Sequence, residues 1–169
     1  MDPRPLTGEP LPLDLLNTYW IDDGVEHDLL ADEAGMRLWL DLHELDAPVD
    51  PRARRALVRT REALRTYAGG GAFEPVNDVL ARGARRPLLS AEGVSFEIDS
   101  APAWRVPWLC AASLVELLEA RAHRVRKCAN PDCVLWFLDV SRAGQRRWCS
   151  MSACGNREKA LRHGRLRRR

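Results

Sequence analysis

Four of the five cysteines fall in one segment as two pairs, Cys128 with Cys133 and Cys149 with Cys154. Each pair encloses four residues, and fifteen residues separate the pairs. Thiolates are soft ligands, and four of them at tetrahedral geometry suit Zn²⁺. Each short loop can fold back so that both its sulfurs face one ion. The spacer is long enough for a small hairpin that brings the pairs together. Four cysteines fill a zinc coordination shell, so the expected ion is one structural Zn²⁺. A catalytic zinc would keep a position open for water. Disulfides and buried apolar cysteines are the competing readings. The first twelve residues lack the pattern of a secretory signal, which disfavours disulfides.

The elements that must position the sulfurs can be read around them. Asn130-Pro131-Asp132 is turn chemistry, as a metal knuckle needs. Leu135 to Leu138 reads as a short strand, Ser141 to Gly144 as a turn, and Gln145 to Trp148 as the return strand. A helix is then expected to open at Cys149–Cys154 and run on through Asn156, Arg157, Lys159 and Arg162. A knuckle, a hairpin and a second ligand pair at a helix start describe a treble-clef-like or zinc-ribbon-like module.

Here the sequence also resembles a family. Cys154-Gly155-Asn156-Arg157 looks like the signature of the CGNR zinc-finger proteins. The likeness extends to Arg147-Trp148-Cys149-Ser150-Met151, to Cys128 and Cys133, and to Phe137 and Asp139. It covers roughly the last third of the chain. Members usually carry an N-terminal domain called ABATE. They are described as stress-induced transcription regulators, a description that rests on inference for most of them. Two further segments resemble the ABATE pattern: the Leu-Asp and Asn-Thr pairs within Leu11–Thr18, and Arg61-Glu62-Ala63-Leu64.

Charge divides the chain. Residues 121–169 hold fourteen Lys+Arg and three Asp+Glu, a net +11; residues 1–120 hold twelve and twenty-one, a net −9. The sum is the whole chain's +2. Such asymmetry points to a nucleic-acid-binding end on an acidic body. Twenty-four of the basic residues are Arg and two are Lys, a bias along the whole length. The location of the charge therefore carries the argument, and the choice of Arg does not. No stretch approaches the roughly eighteen apolar residues of a membrane helix. The expectation is a cytoplasmic protein with no membrane partner.

Taken in order, Leu11–Thr18 could be a strand or one helical turn. Its Asp14 and Asn17 are candidates for ligand binding or regulation, or for a local cap or turn. Asp22-Asp23-Gly24 is a turn signal. Asp32 should cap a helix reaching about Leu45, whose apolar residues cover most of its circumference and predict burial all round. Asp50-Pro51 starts the next helix, with Ala53, Ala56, Leu57, Thr60, Leu64 and Tyr67 inward, ending at Gly69-Gly70-Gly71. Residues 75–82 read as a short helix. Pro87–Ser90 and Val94–Ile98 read as a hairpin that must pack on the helices. A strong helix is expected from near Pro107 to Ala122, with Trp104, Trp108, Ala112, Val115 and Leu118 on one face. Lone Cys110 reads as a small buried hydrophobe.

These readings give an α+β, mostly helical protein. An N-terminal helical, regulatory domain with a small β-hairpin spans 1–122. A treble-clef-like four-cysteine zinc domain with a basic tail spans 123–169. The expected function is a zinc-dependent DNA-binding transcriptional regulator. Its first domain would sense a small-molecule ligand or mediate assembly, with a homodimer presenting two modules. Arg146, Arg147, Asn156, Arg157, Lys159, Arg162 and Arg165 are the candidate contacts to double-stranded DNA, although Asn156 and Arg157 could instead brace the zinc loops. An RNA-binding or ribosome-associated module is the alternative, with Trp136, Phe137 and Trp148 as stacking surfaces. No glycine-rich phosphate loop, Ser/His/Asp grouping or histidine-rich metal set appears, so no enzyme is expected.

Overall fold

The computed structural model describes residues 2–159. The chain divides into two units, one made of Met1–Asp28 with Leu117–Arg169 and the other of Leu29–Glu116. The fold class is the expected one, mostly helical with small antiparallel hairpins and a four-cysteine cluster near the C-terminal end.

The first unit begins with α1 (Leu11–Leu16), which resolves Leu11–Thr18 as helix. Pro12 lies in its first turn, where a missing N–H costs no bond. Residues 12–16 are all buried. Next, β1 (Tyr19–Asp22) and β2 (Val25–Asp28) form a hairpin across Asp23-Gly24. Both turn residues have positive φ, 47° and 80°, which matches the twist of the strands. The turn was legible in the sequence, but the strands flanking it were not. Trp20 stacks on His27 with ring centroids 5.0 Å apart.

The second unit opens with a 3-10 turn (Leu29–Ala31) and α2 (Glu33–Leu42). Asp32 caps α2 as expected, accepting from the Gly35 N–H at 2.8 Å. Gly35 is required there: a Cβ would stand 1.7 Å from the Leu29 carbonyl oxygen. The helix stops three residues short of Leu45, and Glu44 turns the chain with φ 53°. Only Met36, Trp39 and Leu40 are buried, while Leu42 is 50% exposed, so burial all round is corrected to burial of one face.

In α3 (Pro51–Ala68) the Asp50 carboxylate caps Ala53 N–H at 2.8 Å. The predicted inner face is buried except Tyr67. Arg54 reaches back to the carbonyls of Leu30 and Ala31, at 3.1 and 3.0 Å. The short helix α4 (Glu74–Leu80) follows.

Then β3 (Gly83–Ser90) and β4 (Gly93–Ser100) pair across Ala91-Glu92. This hairpin is longer than expected, and it meets the helices at its base, where Gly83 lies against Trp108 and Arg85 pairs with Glu116 at 3.1 Å, while nearly all of the rest is exposed.

Helix α5 (Pro102–Arg121) carries Pro107 inside it, so the proline does not mark its start. Its buried residues are Ala103, Val106, Pro107, Trp108, Cys110, Ala111 and Leu114. The expected stripe is corrected, since Val115 is 48% exposed. Apolar side chains occupy most of this helix's circumference, and periodicity alone cannot select which of them face inward.

Returning to the first unit, a 3-10 turn (Ala122–Arg124) leads into β5 (Val125–Lys127), which pairs antiparallel with β6 (Trp136–Leu138). The expected return strand at 145–148 is not formed, and β6 takes β5 as its partner instead. The first cysteine loop thus sits at the tip of the β5–β6 pair. On the other edge of β6, the Asn17 side chain donates to the Trp136 carbonyl and accepts from the Trp136 N–H, each at 2.9 Å. Glu9 accepts from Leu138 N–H at 2.8 Å. The edge of this three-residue strand is therefore closed by side chains from the N-terminal segment. Among the described residues, no helix is long and apolar enough to cross a membrane.

Candidate metal centre

Cys128 follows directly on β5, and its N–H bonds the Leu135 carbonyl at 2.9 Å, closing the first loop. Within that loop the Asn130 side chain accepts from Asp132 N–H at 3.2 Å, and its carbonyl accepts from Cys133 N–H at 3.0 Å. Asn130 is the turn residue the sequence pointed to. Its amide also donates to the Cys154 sulfur at 3.4 Å, across the site. Ala129 N–H bonds the Arg147 carbonyl at 2.8 Å, which ties the two loops together. The second pair lies at a helix start: Ser150 caps Ala153 N–H at 3.1 Å, and a π-helical turn, Met151–Gly155, continues as α-helix through residue 159.

All four sulfurs lie within 4.8 Å of one another, and all four cysteines are buried and free of disulfides. Cys133 and Cys149 are separated by 3.8 Å, Cys149 and Cys154 by 3.6 Å. A zinc ion with Zn–S bonds of about 2.3 Å at tetrahedral angles requires sulfur separations of about 3.8 Å. The donor set fits in electrostatics too. Bonds from the Cys133 and Cys149 thiols hold the Cys128 sulfur down to about 2. The bond to Cys128 pushes Cys133 up to about 12 and raises Cys149 as well. One thiolate therefore opposes ionisation of its neighbours, and a cation held among the four would relieve that opposition. The arrangement is a closed structural zinc site, with Cys149 N–H donating to Cys128 sulfur at 3.4 Å as outer support.

The candidate contact residues divide. Arg146 is turned inward, where its guanidinium donates to the Trp148 carbonyl at 2.9 Å and to the Cys149 carbonyl, and stacks 4.3 Å over Phe137. Its N–H bonds Asp139 at 2.9 Å. It braces the second cysteine loop and does not stand free for a partner. Arg147 is exposed beside Trp148, 5.0 Å from the ring. Asn156, Arg157 and Lys159 are exposed on the helix after Cys154. Among the described residues, the Asn156 side chain donates to the Ser152 carbonyl of its own helix, at 3.4 Å. Arg157 pairs with Asp23 at the tip of the β1–β2 hairpin, at 3.4 Å. Together they line an open groove of about 710 Å³ with Ile21, Gly24, Pro131 and Asp132. Arg162 and Arg165 lie outside the described residues.

Asp14 and Asn17 are both buried. Asp14 holds the buried Arg4 guanidinium, which Asp2 also contacts at 2.7 Å. Burial opposes the charge on Arg4, but the bonds from Asp2 and Asp14 hold its proton more tightly than usual. Both side chains thus serve long-range internal bonds, while Asn17 also stands at the C-cap of α1, its N–H bonding the Leu13 and Asp14 carbonyls at 3.1 Å each. Asp139, which the sequence offered only as part of the CGNR likeness, proves to be a hub of hydrogen bonds. It accepts from Ser141 N–H at 3.0 Å, from Ser141 hydroxyl at 2.5 Å and from Arg146 N–H, and it pairs with Arg126 at 3.5 Å. Ser141's hydroxyl bond, ahead of the other contacts, keeps its carboxyl below the usual range despite burial. An Asp two residues before a Ser in a turn was the available signal.

Two family models match the chain. One, ABATE, described as "Putative stress-induced transcription regulator", covers residues 9–121; the other, the CGNR zinc finger, covers 124–168. Neither description names a catalytic activity. No curated protein matches the chain.

Proposed function

Because the chain belongs to the ABATE family and carries the CGNR zinc finger after it, we propose that it is a zinc-dependent DNA-binding transcriptional regulator with a role in stress responses. One observation carries this reading: the cysteine cage sets the start of a helix from which Asn156, Arg157 and Lys159 project into solvent. Zinc, when bound, supplies the cross-link that fixes that helix. Arg147, Arg157, Lys159, Arg162 and Arg165 neutralise phosphates, which gives salt-sensitive, sequence-independent affinity. Asn156 reads base edges.

The acidic region, 1–122, senses a small molecule or mediates assembly. Two copies would present two modules and offset the weak binding of one. The RNA alternative is less well supported: of its three stacking candidates, Trp136 and Phe137 are 7% and 0% exposed, which leaves only the half-buried Trp148 to meet a base.

The test measures zinc content and salt-dependent binding to random-sequence duplex DNA for the full chain and for Cys149→Ser. The reading expects one zinc per chain, binding that falls steeply with salt, and loss of both in the variant. Zinc at full occupancy with no duplex binding at low salt would overturn the DNA assignment.

A further inference from the structure

A two-stranded hairpin exposed on both faces is marginal in water. The β3–β4 hairpin nonetheless carries apolar side chains into solvent: Leu89, Val94 and Phe96 are 85%, 69% and 50% exposed. Exposed apolar surface on an edge strand is a pairing template unless something blocks it.

The register shows which edge is blocked. The two-residue loop makes Ser90 and Gly93 the closing pair, from which hydrogen-bonded and non-hydrogen-bonded pairs alternate. Pro87 and Phe96 then form a non-hydrogen-bonded pair, whose backbone groups point away from the partner strand. On β3 the outward positions are Gly83, Arg85, Pro87 and Leu89, and the proline in the middle of that edge has no N–H to offer. On β4 the outward positions are Val94, Phe96, Ile98 and Ser100, each with an N–H and a carbonyl. β4 is an edge strand, since the sheet has only two strands.

We propose that β4 pairs antiparallel with β4 of a second copy of this chain, about a two-fold axis at Phe96, to make a four-stranded sheet. Charge and strand length together select that axis: centred on Ser95, Ile98 would fall opposite the loop residue Glu92 and lose its strand partner. Centred on Glu97, two glutamates would oppose each other; centred on Ile98, Glu97 would oppose Asp99. Centred on Phe96, Glu97 faces Ser95, Val94 faces Ile98, and Phe96 faces its own copy. Each Glu97 keeps its own Arg86, 3.2 Å away. This register pairs three of the four outward N–H groups of the strand, those of Val94, Phe96 and Ile98. Leu89 and Pro87 share the face of Val94 and Phe96, so the joined sheet gathers these four apolar side chains on one side, with Leu88 on the other. The surface gives the two-copy arrangement of the proposed function a location and rests on that reading only for its purpose. Its test contains no nucleic acid, so either can fail alone.

The experiment is sedimentation of the zinc-loaded full chain over a concentration series, for wild type, Phe96→Glu and Phe96→Lys. Position 96 is half exposed in one chain, and its ring lies 3.6 Å under the Arg85 guanidinium, which tolerates Glu better than Lys; zinc content and circular dichroism check that both variants fold. Wild type should dimerise. Each variant places like charges across the axis and should raise the dissociation constant about tenfold or more. Mixing the two variants should restore a dimer, because Glu then opposes Lys. A monomeric wild type, a dimer indifferent to position 96, or folded variants that fail to pair on mixing would each overturn the proposal.

Discussion

Asn17 hydrogen-bonds both backbone groups of Trp136, from 119 positions earlier in the chain. Its carboxamide acts as one residue of a missing strand. Asn17→Ala would leave a buried N–H and a buried carbonyl without partners, at about 1–3 kcal/mol for each group. The melting midpoint should fall by roughly 5 °C or more. Asn17→Asp keeps the acceptor but sets an oxygen against the Trp136 carbonyl, so it should be no better. Thermal unfolding with Trp fluorescence decides it; a variant as stable as wild type would refute the edge-closing role.

Arg146 and Arg147 are neighbours with opposite fates. Arg146→Ala removes the brace on the Trp148 and Cys149 carbonyls and should loosen zinc retention, read as faster metal loss to a chelator. Arg147→Ala should leave zinc retention unchanged and weaken duplex DNA binding, reducing the salt slope by about one. Equal zinc loss in both would contradict this division.

Arg157 meets Asp23 in an exposed ion pair, a kind that contributes little to stability. Asp23→Asn should therefore leave the melting midpoint nearly unchanged. It should strengthen binding to random duplex DNA, because a carboxylate no longer competes with phosphate for Arg157. Weaker DNA binding in Asp23→Asn would show that the acid positions the arginine instead of competing for it.

Asp139 sets an acid limit. Its folded pKa lies below its unfolded value, so it stabilises the fold above the unfolded pKa of about 3.9. That contribution is lost as pH falls through the lower, folded value. Glu9 has the opposite sign: burial raises its pKa despite the bond from Leu138, so its ionisation destabilises the fold as pH rises through the window above the ordinary value. Asp139→Asn should flatten the acid side of the stability–pH curve, and Glu9→Gln should remove a decline on its higher-pH side. Urea unfolding across the acidic range measures both.

What the sequence revealed was local. The cysteine spacing carried the metal site because ligand chemistry is read within a few residues. Asp32 and Asp50 announced their helices because a cap acts on the next turn. What stayed hidden depended on distant partners. β6 itself was legible as a strand, but its partner β5 was not, and nothing near Asn17 indicates that its amide faces Trp136. The inner face of α5 was misjudged because apolar residues surround that helix, so packing decided what pattern could not.

The closing of β6 by Asn17 and Glu9 also bears on how this zinc finger can be inherited. The seam between the two matched families falls between residues 121 and 124, yet the strand that supports the first cysteine loop is completed by residues from the far side of that seam. A fragment cut there would carry a bare strand edge, liable to stick to its own kind. In this chain the finger is therefore not a portable part: residues 124–168 moved to a new host would need a substitute for Asn17 and Glu9 along β6.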